Sequence, residues 1–262
     1  MNFGVQTFTI RKWQKKDLEK AYLPLIKLGI LDYEIARIHF DKNTGQAVRA
    51  LMDKYGIRVR AIQVKPKQVF GDVQSVVDFC KSTGCTNVVL SQLPFSCVLG
   101  REEKFYDFVA TLDRQFEIYE AHGITLAYHH HNWEYVTLTG GKTRMQELLE
   151  KTKKIRFVHD TYWTTKCGLS AARQVQEFGD RLMGIHLRDL TLHKKGIDVR
   201  SSDGAVSSGV VDFPAVLQAA KQTACQYFVI EQKTDKPYED LERSYRYCCG
   251  IQAELEAKNH EK

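Results

Sequence analysis

A chain of 262 residues that is 43% hydrophobic can bury a large core, and a charged content of 27% argues against wholesale disorder. The 38 lysines and arginines against 32 aspartates and glutamates give a net charge of +6, dispersed along the chain, so anionic ligands are permitted but nucleic acid is not demanded. No apolar run approaches the roughly 20 residues that a membrane helix needs, no signal-peptide core follows Met1, and an odd count of 7 cysteines without a C-x-x-C pair points to a reducing cytoplasm rather than a disulfide framework.

The chain opens on a β-rich run, Gly4–Phe8, followed by an amphipathic helix over Leu18–Leu28. A strand at Ile30–Ile35 precedes a helix over Thr44–Tyr55, a strand at Arg58–Val64 precedes Val73–Ser82, and a strand at Asn87–Ser91 precedes the longest early helix, Phe105–Ala121. Strands are then expected at Ile124–His130, Arg156–His159 and Leu182–Leu187. A helix over Pro214–Lys221, with proline in its first turn after Asp212, leads to an eighth strand at Tyr227–Glu231 and a closing helix over Tyr238–Leu255. Gly29, Gly56, Gly84 and Gly123 each stand between a helix and the next strand, where the left-handed helix exit favours glycine. The stretch Lys194–Val211 lacks apolar periodicity and reads as a long functional loop, and the charged tail Glu254–Lys262 is expected to fray.

Several strands are nearly continuous apolar runs, as in a parallel sheet covered on both faces. Eight strand–helix units over this length predict an α/β fold, a (β/α)8 TIM barrel, with residues 1–262 forming a single domain. The rival, an open doubly wound sheet, would usually carry a glycine-rich phosphate loop after the first strand. Here Thr7-Phe8-Thr9-Ile10-Arg11-Lys12 holds neither G-x-G-x-x-G nor a Walker loop.

Catalytic groups in such a barrel collect at the C-terminal strand ends. The second strand holds Glu34; the fifth ends in Tyr128-His129-His130-His131-Asn132-Trp133-Glu134; the sixth in His159-Asp160-Thr161-Tyr162-Trp163; the seventh in His186-Leu187-Arg188-Asp189; the eighth in Glu231-Gln232-Lys233. A lone His or Asp at a strand end is more commonly solvated or capping. Recurrence on four consecutive strands is what makes His129, Asp160, His186 and Glu231 a candidate metal set. Two imidazoles and two carboxylates suit Mn²⁺, Co²⁺, Zn²⁺, Fe²⁺ or Ni²⁺ and fit Mg²⁺ less well. Strand alternation puts His129 and His131 on one side and His130 on the other, so His131 is either an alternative ligand or a substrate contact.

With Gly4-Val5-Gln6-Thr7-Phe8-Thr9-Ile10-Arg11, Tyr128-His129-His130-His131 with Glu134, Asp160-Thr161-Tyr162-Trp163, His186-Leu187-Arg188-Asp189 and Val229-Ile230-Glu231 in this order, the chain resembles the sugar phosphate isomerase/epimerase superfamily of xylose isomerase-like TIM barrels over essentially its whole length. That group takes in ketose 3-epimerases, hydroxypyruvate isomerases, inosose dehydratases and, more distantly, endonuclease IV. The resemblance implies one divalent metal held by Asp160, His186 and Glu231 together with a strand-five residue. Many members carry Glu at that position, which here is His129, and the triple-His run looks like the inosose dehydratase branch. Trp163 stands where epimerases often show a substrate-binding His, and Ser207–Phe213 departs from the Gly-Glu-Gly or Gly-Gln-Gly common among relatives.

The activity so implied is a divalent-metal-dependent isomerase or epimerase acting on a sugar or keto-sugar by proton abstraction next to a carbonyl, through an enediolate. Glu231 is the first candidate base, with His129 or His131 as acid/base partner across the ring. Arg188 would hold an oxyanion or an acidic group, its alternative being a surface pair with Asp189. Glu34 and Glu134 would bind hydroxyls, the alternative for Glu34 being a buried salt bridge to Arg37 or a neighbour. Trp163 and Trp133 would wall the sugar or simply pack the core. A dehydratase or lyase acting on a keto-sugar or inosose is the second reading, favoured by His129 in place of Glu. A nuclease is remote, because strands three and four end in Gln63-Val64-Lys65 and Ser91-Gln92-Leu93 without further ligands; a non-catalytic sugar-binding barrel is a further alternative. The expected partner is a small-molecule sugar or cyclitol, unphosphorylated for want of a phosphate-cradling glycine loop, with no nucleic acid, no membrane and a homo-oligomer permitted.

Overall fold

The computed structural model describes residues 1–260. Ten strands form: β1 (Phe3–Gln6), β2 (Asp32–Ala36), β3 (Arg58–Val64), β4 (Asn87–Leu90), β5 (Thr125–His129), β6 (Arg156–Asp160), β7 (Leu182–Leu187), β8 (Asp189–Lys195), β9 (Asp198–Gly204) and β10 (Tyr227–Ile230). Eight of them close into an all-parallel barrel in the order β1-β10-β7-β6-β5-β4-β3-β2, which is the (β/α)8 fold expected. The eight barrel strands match the expected positions to within a residue or two.

The inward positions obey the period of two. Ala61, Val89, Ala127, Val158, Tyr227 and Val229 form a buried cluster inside the barrel, while Ile35, Ile62, Val88, Leu126, Phe157, Ile185 and Ile230 belong to the larger core shared with the helices. Helix starts are written locally. Asp17, Asp41, Ser170 and Asp212 each accept a backbone N–H from the first turn of the helix they precede, and Thr143 forms a reciprocal capping box with Gln146. Gly56 and Gly84 end their helices at φ values of 69° and 70°.

Several elements differ from expectation. Lys194–Val211 is irregular only in its last part, 205–211: before it, β8 and β9 pair antiparallel as a hairpin turning at Gly196-Ile197, with φ 67° at the glycine. Its outer half, Leu192–Ser201, is exposed on both faces, so no alternating hydrophobic pattern marks it. Helices Arg144–Lys151 and Ala171–Phe178 lie outside the expected set; each is 8 residues long, about two turns, and buries one face, Met145 and Leu148 in the first and Ala171, Val175 and Phe178 in the second. The closing helix runs from Pro237 through His260, carried past Glu254 by good helix formers and a Gln252 to Glu256 side-chain bond of 2.7 Å; residues 261–262 lie outside the described residues. Among the described residues no helix is long and apolar enough to cross a membrane.

One glycine links the barrel floor to the polar end. A Cβ at Gly184 in β7 would lie 2.3 Å from the Tyr227 ring, and the Tyr227 hydroxyl donates to Glu34 Oε2 at 2.6 Å. Gly184→Ala is therefore expected to destabilise the protein by about 1–3 kcal/mol through overpacking, seen as a lower urea midpoint with an unchanged slope. A variant as stable as wild type would show that the ring can move aside at no cost.

Candidate metal centre

His129, Asp160, His186 and Glu231 end four neighbouring barrel strands, and their side chains meet. One potential ligand atom from each lies within 4.8 Å of the others, and all four residues are buried. Each is aimed by a different local device. His129 places Nδ1 3.2 Å from the carbonyl oxygen of Ser91, which can only accept, and so turns Nε2 inward, 3.5 Å from Asp160 Oδ2. Asp160 caps the short helix Thr161–Lys166: its Oδ1 accepts the backbone N–H groups of Tyr162 (2.9 Å) and Trp163 (3.3 Å), turning Oδ2 inward. His186 Nε2 lies 2.9 Å from Glu34 Oε1, and its Nδ1 faces Glu231 Oε2 at 3.0 Å, off hydrogen-bond alignment.

The chemistry of this set fits a metal ion. His129 Nε2 is buried with no hydrogen-bond partner, and His186 Nδ1 and Glu231 Oε2, also buried and without an aligned hydrogen bond, face only each other, which is costly for polar atoms unless something else satisfies them. Glu34 supports His186 from behind in the way that outer-sphere carboxylates orient metal-binding imidazoles, and Tyr227 in turn holds Glu34. The four can hold a metal ion.

Other expected residues sit around this set. His131 packs edge-on to His129 with ring centres 4.9 Å apart, and its ring lies 5.1 Å from both Trp133 and Trp163; burial, then the neighbouring His129, push it down to about 3, so it is neutral. His130 faces outward against Phe178 and His159, and its Nε2 accepts the Asp160 N–H at 3.1 Å. Glu134 lies behind His131 with both oxygens engaged, one by the Tyr128 hydroxyl and the other by the His131 backbone N–H at 2.8 Å; burial raises its carboxyl above the usual range. Glu34 pairs with His186 and Tyr227, not with Arg37.

Arg188 is not at the surface beside Asp189. Asp189 instead accepts the backbone N–H groups of Leu190, Gly209 and Val211. The guanidinium reaches inward, with Nη1 3.3 Å from Asp160 Oδ2 and 3.2 Å from Glu231 Oε1, while Nε donates to Asp203 Oδ2 at 2.6 Å. It also lies over the rings of Tyr162 and Trp163 at 4.6 and 5.2 Å. Burial works against both carboxylates, but Arg188 outweighs it: Asp160 is held far below the ordinary carboxylate range, and Glu231, with His186 adding to the effect, falls to about 2. Asp203, for which burial dominates, rises to about 6. Sequence reasoning missed Tyr227 and Asp203. The first carried a signal, since Tyr227, Val229 and Glu231 share one face of a strand. The second lay in the hairpin read as loop.

Burial alone would disfavour a charged His186, but Glu34 and Glu231 overcome it and lift the imidazolium to about 10, above the roughly 6.5 of a free histidine. The folded chain thus binds this proton more tightly than the unfolded chain. Its contribution is complete below about pH 6.5 and is lost as pH climbs through about 10. Metal-stripped protein is expected to lose urea stability across that window, and Glu34→Gln to flatten the loss; stability that is level or rising over the window in wild type would contradict this charge arrangement.

Comparison with known proteins agrees with this architecture. A family model described as xylose isomerase-like TIM barrel matches residues 26–249. No curated protein sequence matches the chain. Among solved structures, a sugar phosphate isomerase/epimerase from Parabacteroides distasonis ATCC 8503 aligns at a TM-score of 0.75 and 19% identity, covering 94% of this chain and 92% of that one. The probable 3-DHS dehydratase AsbF from Bacillus anthracis aligns at 0.72 and 11% identity, covering 95% and 99%. An IOLI protein with a bound zinc atom aligns at 0.67 and 16% identity, covering 98% and 99%. Likeness at such identities is a likeness of fold, but the family model spans most of the sequence, and the chain belongs to the xylose isomerase-like TIM-barrel family.

Proposed function

We propose that this protein is a divalent-metal-dependent isomerase or epimerase of a sugar or keto-sugar, working by proton abstraction next to a carbonyl. The observation that carries the reading is the convergence of four buried ligand atoms within 4.8 Å, three of them without a hydrogen-bond partner. The fold shared with a sugar phosphate isomerase/epimerase and with a zinc-containing relative supports it.

An ion held by His129, Asp160, His186 and Glu231 would supply the positive charge that steadies oxygens as they become anionic. The rest falls to side chains. Glu231, kept ionised by Arg188 and His186, takes the C–H proton on its carboxylate, and the electron pair moves into an enediolate. For isomerisation, protonated Glu231 gives its proton back to the neighbouring carbon while the hydroxyl proton passes between the two oxygens. For epimerisation, His131, neutral and with an unpartnered Nδ1, gives its ring N–H proton to the opposite face of the same carbon and regains one from solvent, as Glu231 releases its own. Trp133 and Trp163 flank His131 and offer apolar faces to a sugar ring. Arg188 holds Asp160 and Glu231 in place, Glu34 positions His186, and Glu134 fixes the backbone of His131.

A dehydratase or lyase reading uses the same first step and ends in loss of a β-hydroxyl. It is favoured by one feature, His129 in place of a second carboxylate acid/base, and by the fold shared with a probable 3-DHS dehydratase. A multi-ion nuclease site is not supported: among the described residues one ligand cluster of this kind occurs.

Screening keto-sugars and inososes in D₂O with Mn²⁺- or Co²⁺-loaded protein tests the shared step. Solvent deuterium is expected at the carbon next to the carbonyl in wild type, with Glu231→Gln losing roughly 100-fold or more in kcat and Asp160→Ala inactive. A substrate that turns over without exchange would exclude the enediolate.

A further inference from the structure

Two arginines stand at the barrel mouth without an acidic partner. Arg11 begins the short helix Arg11–Gln14 after β1, and Arg37 directly follows β2, the strand paired with β1. Both guanidinium carbons lie over one ring, 3.9 Å from the Phe8 centroid for Arg11 and 5.0 Å for Arg37. Among the described residues neither is paired with a carboxylate, whereas Lys12 next to them reaches Asp235 at 3.9 Å. Arg11 donates once, to the Phe8 carbonyl at 2.7 Å, which aims the fork and leaves most of its five N–H groups available.

The pair faces the same end of the barrel as the four-residue cluster. In the β1–β2 register Gln6 lies opposite Glu34, and Glu34 touches His186. The turn carrying Phe8 and Arg11 is tied to the residue after Glu231, because Gln232 N–H donates to Thr9 Oγ1 at 3.0 Å. Burial and the charge of Arg37 lower the Arg11 guanidinium from its ordinary value while Glu231 acts in the opposite sense, so Arg11 lies within electrostatic reach of both Arg37 and one member of the metal cluster. Arg37 also takes φ 64°, a left-handed backbone unusual for a residue other than glycine. Such backbone conformations cluster at active sites and ligand clamps.

Two like charges stacked on one ring repel each other and lack a counter-charge. Guanidinium forks match carboxylate and phosphate oxygens two at a time. We propose that Arg11 and Arg37 form a subsite for an acidic substituent, a carboxylate or a phosphate, on the molecule whose reacting carbons lie at His129, Asp160, His186 and Glu231. The substrate is then an acidic sugar or keto-acid derivative rather than the neutral sugar that the sequence suggested. The proposal rests on reading that cluster as the reacting centre.

The test is calorimetric titration at low ionic strength with inorganic phosphate and with glycolate, on wild type, Arg11→Met, Arg37→Met and Asp160→Ala. One saturable anion site per chain is expected, at least about tenfold weaker in either Met variant, partly restored by Arg11→Lys and Arg37→Lys, and retained in Asp160→Ala. The tighter probe identifies the substituent. No saturable binding in wild type, a site untouched by both Met variants, or a site lost in Asp160→Ala would each overturn the proposal. Failure of the underlying reading looks different: Asp160→Ala would then still bind Mn²⁺ like wild type while the anion site behaved as expected.

Discussion

The site is organised by a buried excess of negative charge. Glu34, Asp160, Asp203 and Glu231 all lie within the barrel mouth around a single guanidinium, that of Arg188, and a single histidine bridging two of them. Carboxylates removed from water are costly unless each is paired and hydrogen-bonded. The chain meets that cost for Asp160 with two helix N-terminal amides and for Glu34 with a tyrosine hydroxyl and an imidazole. It leaves Glu231 Oε2 without a hydrogen bond. The remaining imbalance is what a divalent cation would neutralise.

Arg188 and a cation draw on the same oxygens. Nη1 of Arg188 lies within 3.3 Å of both Asp160 Oδ2 and Glu231 Oε1, so an ion taking these carboxylates would compete with the guanidinium for them. Asp203 and the faces of Tyr162 and Trp163 give the guanidinium other contacts. The hairpin β8–β9 therefore does more than extend from the surface, because it delivers Asp203 to the centre. Likewise Tyr227 both fills the space above Gly184 and fixes Glu34, which couples the packing of the barrel floor to the aim of His186.

Much of this was legible in the sequence because strands carry a period of two and parallel units repeat. Glycine helix exits, apolar runs and polar strand ends led to the barrel and to His129, Asp160, His186 and Glu231 as one group. What stayed hidden was set by long-range pairing. The Tyr227–Glu34 bond joins residues 193 positions apart, and the Arg188–Asp203 pair depends on a hairpin whose exposed half has no hydrophobic pattern. Glu134 looked like a substrate contact because it follows the histidine run, but its short-range partners, Tyr128 and the His131 amide, turn it away from the cluster. The helices over Arg144–Lys151 and Ala171–Phe178 escaped although each has an apolar face, because 8 residues fall short of the roughly 11–18 over which such a period declares itself.

Cobalt titration of the metal-stripped protein, followed by visible absorption, tests the central claim most directly. The account requires one Co²⁺ per chain with ligand-field bands of a site built from nitrogen and oxygen donors, the bands vanishing in both Asp160→Ala and Glu231→Ala while the fold persists by circular dichroism. A wild-type protein that takes up no stoichiometric Co²⁺, or one whose bands survive both substitutions, would contradict it.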